Sequence, residues 1–155
     1  MHQSWKHPGG EFEISTDPSR IDIPLVHRFL TSSYWAKGIP ETTVRRSIEG
    51  SLCFGVYRGS RQVGFARVIS DYATFAYLAD VFVVEDFRGR ALAVWLMQCI
   101  VDHPELQGLR RWSLVTRDAH RLYRKFGFRE LSAPERWMER HNPHVYSDPA
   151  SKSQA

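Results

Sequence analysis

Apolar and polar residues alternate from Glu11 to Thr16, with Phe12 and Ile14 set against Glu11 and Glu13, which predicts a strand with one buried face. The spacing then lengthens. After Asp22, Leu25/Val26, Phe29/Leu30 and Tyr34 recur at helical intervals over IPLVHRFLTSSYWA. Pro24 falls in the first turn of that helix, where a missing N–H costs nothing, and Gly38 ends it. A second, shorter helix is expected over PETTVRRSIEG, with Pro40 near its start, Glu41 in its first turn and Gly50 at its stop.

Strands follow. LCFGVY (Leu52 to Tyr57) and QVGFARVIS (Gln62 to Ser70) flank a hairpin turn around Gly59, and Thr74 to Val84 is the most β-prone stretch, with Asp80 its one charge. From Arg88 to His103 the pattern turns helical through Leu92, Trp95/Leu96 and Cys99/Ile100, until Pro104 stops it. Arg110 to Thr116 reads as a short strand, Asp118 to Phe126 as a helix ended by Gly127, and FREL and ERWMER as a closing antiparallel pair. The order β-α-α-β-β-β-α-β-α-β-β predicts an α+β fold on a mixed sheet. Residues 1–10 and 141–155 show no periodicity, so a disordered amino terminus and a flexible tail are expected around one domain, 11–140.

Composition narrows the choices. Of the 155 residues 43% are hydrophobic and 25% charged, which excludes a largely disordered chain. No apolar run approaches the ~20 residues of a membrane span; the longest, Ala91 to Met97, is broken by Gln98. The first ten residues hold no apolar core of an export signal, so a cytoplasmic location is expected. Cys53 and Cys99 stand far apart in apolar stretches without CxxC spacing and read as reduced core residues. The seven histidines show no HxH or HExxH spacing, so no metal is expected. The net charge of +4 suits an anionic partner, but the basic residues form no stripe, and neither nucleic acid nor a membrane is expected as partner.

The chemistry concentrates in two segments. In ADVFVVEDFRGRALA (Ala79 to Ala93) an apolar strand runs through an Arg-Gly-Arg turn into a helix, whose unpaired first-turn amides and dipole suit a pyrophosphate beside Arg88 and Arg90. On this pattern alone, a strand–helix turn with two solvated arginines fits equally well. GxGxxG and GxxxxGK[ST] are both absent, so nicotinamide and nucleoside triphosphate chemistry have no support. In DAHRLYRKFGF (Asp118 to Phe128), spacing alone makes Tyr123 a core aromatic and Asp118 a helix cap.

Together the two segments resemble the GNAT superfamily of acyl-CoA-dependent N-acyltransferases. The family's loop, R/Q-x-x-G-x-G/A, aligns with Arg88-Gly89-Arg90-Ala91-Leu92-Ala93, and its Asn followed by an LYxKxGF-like run aligns with Asp118 and Leu122 to Phe128. The resemblance spans about Leu52 to Phe128. Ala91 replaces a family glycine and Asp118 the usual asparagine; these departures bear on how tightly the loop holds its ligand.

The resemblance implies a GNAT-like fold, a central, mostly antiparallel twisted sheet flanked by helices. It implies acetyl-CoA as cosubstrate, no metal, and direct attack of a primary amine on the thioester through a tetrahedral intermediate. Acetyl-CoA would be held by Val81, Phe82, Val83, Arg88, Gly89, Arg90, Ala91, Leu92, Ala93, Asp118 and Tyr123, with a backbone N–H of the Val81 to Val84 stretch on the carbonyl. Tyr123 would be the general acid toward the leaving sulfur, its acidity raised by Arg121, Arg124 or Lys125. Asp80 is the candidate general base, with a structural aspartate, Glu85 or a water chain as alternatives. Trp35, Tyr72, Phe75, Tyr77 and Trp137 are candidate pocket walls, or core. The expected function is an N-acetyltransferase acting on a small-molecule or peptide amine, with a catalytically weak acyl-CoA-binding or sensor module as the alternative. A homodimer through an exposed sheet edge is a further expectation.

Overall fold

The alternation at Phe12 and Ile14 forms β2 (Phe12–Ser15) in the computed structural model, which describes residues 1–147. Residues 1–10 correct the expectation of disorder. They supply β1 (Ser4–Lys6), antiparallel to β2 with Trp5 opposite Ile14. One apolar residue makes no pattern, yet Trp5 stacks on Phe54 at 6.1 Å while its backbone gains a ladder partner.

Helix α1 (Ile23–Ser32) starts where Asp22 accepts the Leu25 N–H at 3.1 Å, a cap worth about 1 kcal/mol. It stops short of Tyr34: Ser33 is extended, and its Oγ donates to the Leu30 carbonyl at 2.7 Å. Tyr34 and Trp35 therefore belong to a loop, 49% and 42% exposed. Helix α2 (Glu41–Glu49) buries Val44 and Ile48 and ends at Gly50.

The long strands are β3 (Leu52–Arg58), β4 (Arg61–Ser70) and β5 (Phe75–Val83), with β6 (Arg111–Leu114) at the edge. The six strands lie in sequence order, every pair antiparallel except β5–β6. This is the mixed sheet flanked by helices that the element order implies. Strand alternation sorts the core in two. Val26, Leu30, Val44, Phe65 and Phe82 pack together on the α1–α2 side. Val56, Ala66, Val68 and Leu78 meet Leu96, Met97 and Ile100 of α3 (Leu92–Val101). Both cysteines are buried free thiols, one in each cluster, and burial pushes each up to about 12.

Tyr57 folds its ring over Gly55, where an added Cβ would lie 2.3 Å from the Tyr57 hydroxyl, so position 55 has room only for glycine. That hydroxyl is buried and, among the described residues, is the one enclosed side-chain polar atom without a hydrogen-bond partner.

The carboxy-terminal third departs from the sequence pattern. Helix α4 (His120–Arg124) has five residues and is capped at Ala119, whose N–H donates to Thr116 Oγ1 at 3.0 Å. Asp118 caps nothing; its carboxylate is in solvent, 3.7 Å from Arg117. FREL and ERWMER do not pair, and beyond Phe128 the described residues hold only the 3-10 turn Pro134–Arg136. Pro134, in the link between the two segments, opens that turn with its fixed φ, and the turn takes up Glu135 and Arg136 at the head of ERWMER. β6 is left as an open edge. Residues 141–147 of the segment read as a tail are described: Tyr146 lies against Gly38 and packs with the α1–α2 cluster, while residues 148–155 fall outside the described part. Among the described residues no helix is long and apolar enough to cross a membrane.

Candidate active site

Two features of β5 create the site. It pairs with β6 only from Phe75/Arg111 to Leu78/Leu114, then runs on to Val83 after β6 has ended, so a gap opens between the strands. At the gap the β4–β5 ladder slips: Phe65 faces Phe82 and Arg67 faces Ala79, which puts Asp80 and Val81 opposite Ala66 alone. A bulge of this kind leaves ladder groups unpaired, and Asp80 takes it up with a φ of 56°.

Beyond β5 the chain makes a 3-10 turn, Glu85–Phe87, and turns through Gly89 (φ 78°) and Ala91 (φ 59°) into α3. The helix thus starts at Leu92, not Arg88, and Ala91, its left-handed cap, offers no side-chain bond to the first-turn amides. Nothing lies within 4 Å of where a Cβ on Gly89 would stand, so the turn is an open cradle beside free N–H groups. Arg88 folds back, its Nε donating to the Val83 carbonyl at 3.0 Å. The Arg58, Arg61 and Arg90 guanidiniums lie 5.8, 5.1 and 5.2 Å from the centre of the Phe87 ring. Glu11 answers two of them, at 3.0 Å from Arg58 and 4.0 Å from Arg90, and leaves a cationic surplus. Free amides, an open glycine and surplus positive charge fit a pyrophosphate.

Across the gap, Tyr123 is 9% exposed. Burial is the main cause pushing its hydroxyl up to about 12, with nearby Tyr34 and Asp118 adding to it. The expectation that Arg121, Arg124 or Lys125 would make Tyr123 more acidic is therefore corrected: Arg124 turns away to pair with Glu130, and desolvation wins. Asp118, expected on the cofactor, stands at the rim with its side chain 69% exposed.

Asp80 is engaged on both oxygens. Trp35 Nε1 donates to Oδ1 at 2.8 Å and Arg67 Nε to Oδ2 at 2.9 Å. Glu85 lies in the exposed 3-10 turn beyond the strand. Of the candidate walls, Trp35 bonds Asp80, while Phe75, Tyr77 and Trp137 line a groove of about 770 Å³ beside β6 with Trp112, Leu114 and Tyr123. Tyr72 sits apart in the β4–β5 turn, its amide bonded to Ser70 Oγ. Sequence reasoning missed Arg67, Tyr34 and Tyr146. A lone charge inside an apolar strand was the available signal for Arg67; Tyr34 looked like core at its helical spacing, and Tyr146 carried no signal. Among the described residues no three His, Cys, Asp or Glu side chains come together as a metal site would require.

An acetyltransferase (GNAT) domain profile matches residues 49–130, from the end of α2 to just past α4. A crystal structure from Xanthomonas campestris pv. campestris, assigned as a GNAT-family acetyltransferase by inference, is 54% identical with a TM-score of 0.86, over 88% of this chain and 97% of that one. A Gibberella zeae protein, likewise an inferred acetyltransferase, is 30% identical over 79% of this chain and 80% of its own. A Clostridium acetobutylicum structure with acetyl-CoA, its acetyltransferase assignment a prediction, shares the fold alone: 14% identity, TM-score 0.58, 91% of this chain and 96% of that one. The chain belongs to the GNAT acetyltransferase family.

Proposed function

We propose that the protein is an N-acetyltransferase that moves the acetyl group of acetyl-CoA to a primary amine of a small molecule or peptide. The observation that carries this reading is the gap itself. One interruption of the β5–β6 ladder opens beside a bulged strand that leads into the free amides of α3, and Tyr123 lines the groove along β6.

The pyrophosphate fits the cradle from Arg88 to Ala93, and acetyl-CoA supplies the activated thioester. Val81, Phe82 and Val83 of the bulged stretch offer fixed backbone donors for the carbonyl oxygen as the amine adds and a tetrahedral centre forms; such donors cost no reorganisation during reaction. Tyr123 then faces the departing sulfur. With its hydroxyl at about 12 and a thiol at ~8.5, full proton transfer is uphill by about 5 kcal/mol, so Tyr123 acts as a strong hydrogen-bond donor as the C–S bond breaks. The proton lost by the amine passes to water.

A non-catalytic acyl-CoA-binding module is the second reading, favoured by the raised Tyr123 hydroxyl and the Asp118 carboxylate at the rim. Isothermal titration with acetyl-CoA, with CoA and ADP as controls, tests the shared step; saturable binding in the micromolar range is expected, and none at millimolar concentration defeats both readings. Tyr123→Phe separates them. It is expected to lower kcat by about 10²-fold or more while acetyl-CoA affinity holds. A wild type that binds acetyl-CoA tightly and acetylates no amine leaves the binding module.

A further inference from the structure

Asp80 occupies the bulge in a left-handed conformation (φ 56°), which Asp and Asn tolerate better than other side chains. Its pair with Arg67 is nearly out of solvent, the two side chains 15% and 10% exposed, and the Arg67 guanidinium is held in turn by Ser51 Oγ at 3.1 Å. The other carboxylate oxygen reaches out of the sheet to the Trp35 indole N–H at 2.8 Å. From Trp35 the contacts continue outward. Its ring meets Tyr34 edge-on at 5.1 Å, and the Tyr34 hydroxyl accepts the Arg117 N–H at 3.2 Å. The Arg117 guanidinium lies 3.8 Å from the centre of the Tyr34 ring. The α1–α2 loop thereby crosses from β5 to the turn between β6 and α4, over the place where the two strands part.

We propose that Asp80 is a positioning residue: through Trp35 it latches the α1–α2 loop across the gap, and Tyr34 and Trp35 become the acceptor-side wall of the reaction site. The assignment of this wall to the acceptor rests on the acetyltransferase reading; the latch itself does not. Each Asp80 oxygen accepts one hydrogen bond and Arg67 matches the charge, a set of partners that fixes Trp35 whether or not the carboxylate ever takes up a proton. Packing on Phe29, 6.1 Å away, and on Tyr34 shares in placing the 42% exposed Trp35, and its bond to Asp80 fixes the ring's direction; Trp35→Phe isolates that bond because it keeps a ring. Placement matters because a displacement of about 1 Å at a reaction site can cost ~10²-fold in rate.

Two substitutions test the latch. Trp35→Phe keeps a ring and deletes the indole N–H; Asp80→Asn keeps an oxygen for Trp35 and suits the left-handed backbone. Hydrogen exchange of the Ser33–Ile39 peptide, acetyl-CoA titration and kinetics with three primary amines (an arylalkylamine, a polyamine and a peptide with a free amino terminus) are read for each. In Trp35→Phe the loop amides are expected to exchange about tenfold faster or more, as on losing a hydrogen bond to a charged group. Its amine KM should rise about fivefold or more while kcat and acetyl-CoA affinity stay within about threefold of wild type, the pattern of lost positioning in the ground state. Asp80→Asn can serve Trp35 with its amide oxygen only by turning its NH2 toward the Arg67 Nε–H, so it should keep the loop protected in part, exchanging more slowly than in Trp35→Phe. Unchanged exchange in Trp35→Phe overturns the latch. Asp80→Asn with a protected loop and kcat down by about 10²–10⁴, the loss expected on removing a general base, overturns the positioning role. If the wild type acetylates none of the amines, the enzyme reading fails, and the exchange measurement still decides whether Asp80 holds the loop.

Discussion

The two sides of the gap are built on opposite plans. On the side proposed to hold the cofactor, one stretch from Asp80 to Ala93 supplies the bulged strand end, an open Gly89 and the free amides of α3, arranged by backbone conformation. On the side proposed to face the acceptor, Tyr34, Trp35, Ser51, Arg67, Asp80 and Arg117 meet through side chains, with partners up to 83 positions apart in the chain. A backbone-built site leaves a local signature and tolerates side-chain loss. A side-chain-built site leaves no signature and depends on each partner, so the two should respond differently to mutation.

The largest contrast is expected between two arginines. Arg67→Met strands the nearly buried Asp80 carboxylate without its counter-charge and should cost about 3 kcal/mol in denaturant unfolding. Adding Asp80→Asn should recover much of that loss. Arg88→Met, on an exposed side chain, should stay within about 0.5 kcal/mol of wild type in stability and weaken acetyl-CoA binding instead. If both single variants lose stability equally, the two sides are not built differently.

The same difference sets how far each side can be read from the chain. Arg88 to Ala93 and Leu122 to Phe128 carry their motifs contiguously, and the strands and helices around them follow from alternation and spacing. The bond between Trp35 and Asp80 joins residues 45 positions apart, and no periodicity encodes it. Tyr34 fits a helical stripe by spacing, but Ser33 ends α1 before the stripe reaches it. Asp118 has the chemistry of a cap, yet no side chain caps α4, and the N–H of Ala119 before it goes to Thr116. The closing strand pair is absent because Pro134 starts a 3-10 turn that takes up Glu135 and Arg136, the head of the second expected strand.

A smaller effect tests the cofactor side alone. Ala91 is held at φ 59°, where a side chain other than glycine costs about 1–2 kcal/mol. Ala91→Gly removes that strain and loses some to the freer unfolded chain, so a net gain of about 1 kcal/mol is expected in thermal or denaturant unfolding. Titration reads a second consequence: acetyl-CoA binds more tightly if the methyl crowds the pyrophosphate. Equal stability in both proteins would mean that the strain of the left-handed cap is no larger than the unfolded-chain cost of glycine, under about 1 kcal/mol. Weaker binding would make the methyl part of the cradle.

The smallest expected effect lies on neither side and serves as a control on both. His103 is 2% exposed, set 6.2 Å from the Trp5 ring and 5.7 Å from Phe54, and its Nδ1 accepts the Glu105 N–H at 3.1 Å. Burial lowers its affinity for a proton in the folded state, and Glu105 opposes that shift in part. The folded value therefore lies below the unfolded one of about 6.5, and between the two the unfolded chain binds a proton that the native protein lacks. Stability contributed by the neutral ring is complete above about pH 6.5 and is lost as the pH falls through the folded value, at no more than ~1.4 kcal/mol per pH unit. His103→Gln keeps an acceptor for the Glu105 N–H and removes the titration, so its Tm should fall less steeply than the wild type's below about pH 6.5. Parallel Tm curves would take His103 out of the acid response. A turnover profile that shifted with this variant would connect β1 to the gap, and the division of the site into two independent sides would then fail.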